Sequence, residues 1–162
     1  MKMVGDPTEL WRHIGKALWM VQLVEYGLVH FTVATRLPEQ ISQSEILDLF
    51  EKQFKPSVGV LLGNLRQTGF IPPTTDKALS HFVDERNWLA HRIRMLHGND
   101  IHDAAAYGLL VSRLERLQTD SLAISQAIAD WLDRWAKSRG VSQEELRLET
   151  ERLLSQVPRA ET

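Results

Sequence analysis

At 162 residues, with 43% hydrophobic and 25% charged side chains, the chain is long enough for one domain that buries a real core. A net charge of −2 excludes whole-surface attraction to nucleic acid, so any RNA binding falls to a local basic patch. The absence of cysteine excludes disulfides, thiol catalysis and cysteine-based zinc sites, and it fits a reducing cytoplasm, the expected location.

The opening stretch Met1 to Pro7 has no apolar signal region. Asp6 can cap a helix, Pro7 suits its first turn and Glu9 can complete a capping box. The helix that follows is expected to reach about Thr35. Ile14, Leu18, Val21, Leu28 and Thr32 form one stripe, widened by Trp11, Leu23, Val24 and Phe31, so most of this helix is expected inside. Its apolar run from Ile14 to Ala34 is broken by Lys16, Gln22, Glu25 and His30, which reads as a buried helix and not a membrane span. Glu25 lies on the apolar stripe. A carboxylate there needs a cationic partner, with Arg86 or Arg92 the first choices, unless it sits at the helix edge and reaches water.

Leu37-Pro38 breaks the pattern. Ser42 and Glu45 form a capping box leading into Ile46, Leu47, Leu49 and Phe50. Pro56 interrupts again, and Ser57 to Gln67 predicts a short helix carrying Val58, Leu61, Leu62 and Leu65, stopped by Gly69. Gly59 and Gly63, four apart, read as small residues that let helices approach. The helical pattern resumes at Thr75 with Leu79, Phe82, Val83, Leu89 and Ile93, and should end near His97 to Asp100. A long helix then begins around Asp103. Its Leu110, Leu114, Leu117, Ser121, Ile124, Ile128, Trp131 and Trp135 make a heptad seam with one polar layer at Ser121, whose hydroxyl can bond back to the helix. The seam serves either an intramolecular bundle or a dimer interface. Gly140 stops it. Ser142 and Glu145 open a last helix with a thin apolar face. The expected architecture is all-α, a bundle of four main helices plus short ones, divided into residues 1–140 and a helical appendage at 141–162.

The densest group of chemically capable side chains lies between Phe82 and Ile93. Within it, Arg86-Asn-Trp-Leu-Ala-His91 has the form R-N-x-x-x-H. It resembles the Arg-x(4–6)-His signature of HEPN domains, helical bundles found in bacterial toxins and defence proteins, in which a polar residue directly after the arginine is typical. The motif covers about a dozen residues, and the order of helices extends the likeness over most of the chain. The resemblance implies a metal-independent endoribonuclease that works as a homodimer, with two motifs across one cleft, and it brings an antitoxin as a family-level partner. One branch of the family continues the motif with a tyrosine two residues after the histidine. Here that position is Ile93, which puts tyrosine-directed silencing in doubt.

The chemistry follows from the residue types. RNA carries its own nucleophile, the 2′-hydroxyl beside each phosphate. His91 suits proton transfer near neutrality, and Arg86 is always charged and can fork onto phosphate oxygens. Asn87 would position substrate by hydrogen bonding. Arg92, Arg94 and His97 are the candidate substrate-binding patch, with His102 beside them. One motif histidine per chain gives a chemical reason for two subunits to share a site. On an ideal helix Arg86 and His91 lie about 140° apart, so they share a pocket only through the arginine's long stem, a loosened helix or a dimer cleft. The competing reading is a non-catalytic helical interaction or nucleic-acid-binding module, in which Arg86 neutralises Glu25 and His91 is a satisfied helix-end histidine. No cofactor is expected. The spacing of His91, His97, His102, Asp100 and Asp103 matches no common zinc arrangement, so no metal is expected either. Trp88 reads as a core residue.

Overall fold

The computed structural model describes residues 6–35, 48, 52, 57–67, 69, 71–97 and 100–140. The capping box at Ser42 and Glu45, the break at Lys55-Pro56 and the appendage at 141–162 lie outside the described residues.

Helix α1 spans Pro7–Ala34. Asp6 begins it as expected, its Oδ1 accepting the Thr8 N–H at 2.8 Å. Glu9 pairs with Arg12 instead of closing a capping box, because the arginine three residues on offers a full charge on the same face. Helix α2 spans Val58–Gln67, and Gly69, at φ +70°, turns the chain behind it. Helix α3 spans Pro73–Asn87, runs without a break into a π-helical turn at Trp88–Arg92, and continues as α4, Ile93–His97. A 3₁₀ turn at Asp100–His102 leads to α5, Ala104–Ser138. Asp103 caps α5, accepting the Ala106 N–H at 2.9 Å. Gly140, at φ +74°, closes it. Among the described residues the protein is all-α, with no strand and four main helices: α1, α2, the α3–π–α4 rod and α5.

The most extensive contact is between α1 and α5. Leu110, Leu114, Leu117, Ser121, Ile124, Ile128 and Trp131 of α5 are all buried within the single chain, facing Ala17, Val21, Val24, Leu28 and Phe31 of α1. The heptad seam is therefore an intramolecular one. Ser121 is fully buried, and its hydroxyl finds no hydrogen-bond partner among the described residues. The expected bond back to the helix is not made. The polar layer survives because its cost is one small hydroxyl among well-packed neighbours.

Two expectations, one for α1 and one for α2, are corrected. First, α1 is not mostly inside. Trp11 is 69% exposed, Trp19 64% and Tyr26 54%, and Leu18 and Leu23 are each 42% exposed. Helix α1 packs on α5 along one side, while Val29 and Val33 meet Leu61 of α2 near its end. The helix is also long and apolar enough to cross a membrane by length and composition, a property shared by bundle core helices. Second, among the described residues the close helix approach is not at Gly59 or Gly63. There a Cβ at Gly63 would meet nothing within 4 Å and one at Gly59 only Ser57 Oγ at 3.9 Å, whereas one at Gly27 would stand 3.2 Å from Ile128 Cγ2. Gly27 is where α1 and α5 come together.

These positions should respond oppositely to substitution. Gly63→Ala should raise stability by about 0.5–1 kcal/mol through helix propensity, whereas Gly27→Val should lower it by about 1–3 kcal/mol by overpacking Ile128. Urea melts of both variants would check this, and a neutral Gly27→Val would refute the close contact.

Candidate active site at the Arg86–His91 helix

The α3–π–α4 rod lies against both long helices, and two neighbouring residues of opposite charge hold it there. Arg86 reaches α1, its Nε donating to Glu25 Oε1 at 2.6 Å. Glu85 reaches α5, where Arg113 grips it with two parallel bonds, Nε to Oε2 at 2.8 Å and Nη2 to Oε1 at 2.7 Å. Consecutive helical residues diverge by about 100°, which is how one dipeptide can address two neighbours. The Arg113 hydrogen bonds hold the Glu85 carboxyl below its ordinary pKa of 4.5, against the opposing effect of burial, and the same bonds raise Arg113. Arg113 also lies 3.8 Å over the Trp88 ring, a cation–π contact on a buried indole.

The helix loosens inside the motif. The Ile93 N–H donates to Trp88 O, five residues back, so one residue more than usual is fitted into the turn. The consequence shows in Trp88 and His97. On an uninterrupted α-helix residues nine apart would lie about 180° apart, on opposite faces. Here Trp88 Nε1 donates to His97 Nε2 at 3.2 Å. With Nε2 accepting, the imidazole proton sits on Nδ1 and is given to Asp100 Oδ2 at 2.6 Å. The chain Trp88–His97–Asp100 ties the rod to the following turn and satisfies a buried indole N–H.

The predicted site residues divide accordingly. Glu25 and Arg86 come together as expected, each about a quarter exposed. Arg86 Nη1 also makes a long contact of 3.4 Å to Asn87 Oδ1. Arg86 and Glu25 border a small opening of about 90 Å³ with Leu18 and Gln22 of α1 and Leu89 and Ala90 of the rod. That is room for about three waters at the ~30 Å³ each takes in the liquid, enough for a phosphate-sized group and too little for a nucleotide. The π turn reduces the angular separation of Arg86 and His91, but His91 does not line this opening. It is exposed and has no hydrogen-bond or ion-pair partner among the described residues. Arg92 and Arg94 are likewise exposed without an ion pair among the described residues. His97 stands apart from them, with both ring nitrogens engaged.

Among the described residues no three His, Asp or Glu side chains converge as a metal ion would require. Comparison with protein families, curated proteins and solved structures finds no match to this chain. Two elements of the site escape sequence reasoning. The Glu85–Arg113 clamp joins residues 28 apart with no periodic signal. The exposed face of α1 was indistinguishable in composition from its buried one.

The clamp makes a pH-dependent prediction. A depressed carboxyl contributes stability that is complete above its ordinary pKa and is lost as pH falls through the lowered folded value. Glu85→Gln should therefore cost about 1–3 kcal/mol at pH 7. The gap from wild type should narrow as pH falls below about 4.5, the ordinary value. Thermal melts across pH would read it; a gap constant down to the acid transition would count against the clamp.

Proposed function

We propose that the protein is a metal-independent endoribonuclease of HEPN type, working as a homodimer. The observation that carries this reading is a π turn centred on the motif. It follows an arginine whose Nε is anchored to Glu25 beside a phosphate-sized opening, and it contains a histidine that is exposed and, among the described residues, unpaired. π turns recur at functional sites because they sacrifice regular hydrogen bonding to re-aim side chains.

In this reading the site is incomplete in one protomer. Trp11, Leu18 and Trp19 form an exposed apolar stripe on α1, and Leu18 also borders the Arg86 opening. Such a stripe on a soluble surface is a contact surface for a partner. A second copy docked there brings two Arg86–His91 helices to one groove. Arg86 keeps Nε on Glu25 and offers its remaining N–H groups to a non-bridging phosphate oxygen, while Asn87 positions the strand. One His91 takes the proton of the 2′-hydroxyl as its oxygen attacks phosphorus. The bond from phosphorus to the 5′-oxygen breaks, and the other copy's His91 supplies a proton to that leaving oxygen. The products are a 2′,3′-cyclic phosphate and a 5′-hydroxyl. Arg92 and Arg94 supply the local positive charge that a net charge of −2 does not. A toxin or defence role with an antitoxin partner, acting in the cytoplasm, accords with this chemistry.

A second reading has its own observation. Arg86 already has a full-strength partner in Glu25, and a helical interaction module of the same fold needs nothing more of it.

The two readings separate on variants whose folding is known in advance. His91→Ala removes a side chain that is exposed and unpaired among the described residues, and should change stability by less than about 0.5 kcal/mol. Arg86→Ala strands Glu25 and should cost about 1–3 kcal/mol without unfolding the protein. Both should abolish RNA cleavage measured in EDTA. Trp19→Glu should yield a folded monomer, by light scattering, that no longer cleaves. Cleavage unaltered in folded His91→Ala, or fully active monomers, would leave the interaction module as the better account.

A further inference from the structure

A second and larger cavity lies between the first turns of α1 and helix α4. It measures about 590 Å³, within the roughly 300–1,000 Å³ of small-molecule sites. Leu10, Ile14, Ile93 and Leu110 give it aliphatic walls, and the Trp11 indole and the His97 ring give it flat ones. Its polar chemistry is one-sided. Among the described residues no carboxylate lines it, and His97 has both nitrogens engaged by Trp88 and Asp100. Among the described residues that leaves Arg94, exposed and without an ion pair, as the one charged group on the wall.

We infer that this cavity binds a small organic anion with an apolar, ring-sized body, an aromatic carboxylate being the simplest case. The apolar walls take the body out of water. Arg94 forks onto the carboxylate at the rim, a geometry guanidinium groups favour over any other cation in proteins. An uncharged ligand of the same shape would leave the arginine without a counter-charge, and a small inorganic anion would leave the apolar walls wet. The inference shares Arg94 and Trp11 with the ribonuclease reading but none of its catalytic residues, since Arg86, Asn87 and His91 do not line this cavity, so binding of the anion is read independently of cleavage.

Titration calorimetry on the full chain with naphthoate and with its uncharged amide tests it. Naphthoate should bind saturably, one per chain, at least tenfold tighter than naphthamide. Arg94→Gln, a surface change that leaves the fold intact, should weaken naphthoate about tenfold and leave naphthamide unchanged. Ile14→Phe should weaken both by filling the cavity, with circular dichroism and a melt confirming that it folds. Equal affinity for acid and amide, unchanged naphthoate binding in Arg94→Gln, or no saturable binding to the wild type would each overturn the inference.

Discussion

Glu85 and Arg86 pull the third helix in two directions at once, and the arrangement of the whole molecule answers to that. Helices α1 and α5 pack lengthwise through the seam from Leu110 to Trp131. The rod from Pro73 to His97 then has to sit across the groove between them. It does so with a glutamate bonded to Arg113 of α5 and an arginine bonded to Glu25 of α1. Opposite charges on adjacent residues make the placement selective as well as stable. Sliding the rod by one residue in one direction would set Glu85 toward Glu25, and in the other would set Arg86 toward Arg113, a like-charge contact either way.

The clamp also accounts for where the helix gives way. With residues 85 and 86 held, Trp88 has to enter the core under Arg113, and Leu89 directly after it is buried too. The π turn at Trp88–Arg92 carries both of them inward, and the bonded set Trp88–His97–Asp100 holds it. His91, in the middle of that turn, is left pointing out. The feature that makes the motif's histidine available is thus a by-product of how the tryptophan beside the motif's polar residue is packed. A binding cavity with Arg94 at its wall opens one turn farther along the same rod.

Much of this was legible in the chain itself. Periodicity gave α1, α2, the rod and α5 to within a few residues, and the heptad positions of α5 from Leu110 to Trp131 are buried, because a 3.6-residue repeat reports directly on which face is dry; at the helix end Ala136 is buried instead of Trp135. The Glu25–Arg86 pair was legible because a carboxylate on an apolar stripe demands a cation. What stayed hidden depends on relations between elements. Trp11, Leu18 and Trp19 look as apolar as Val21 and Leu28, and only the position of α5 decides which side is covered. Gly27 resembles Gly63 until Ile128 is placed against it. The π turn has no composition of its own, since it arises from the packing of Trp88 and from a contact made nine residues later. His97 was expected among substrate-binding cations for the same reason: nothing in its neighbourhood announces that Trp88 and Asp100 occupy it.

The catalytic account is most directly tested by the chemistry of the cut. RNA incubated with the wild-type protein in EDTA should end in 2′,3′-cyclic phosphates by mass spectrometry, and the same RNA methylated at every 2′-oxygen should remain whole. Products ending in 5′-phosphate, or methylated RNA cut as readily as unmodified RNA, would contradict an attack by the substrate's own hydroxyl.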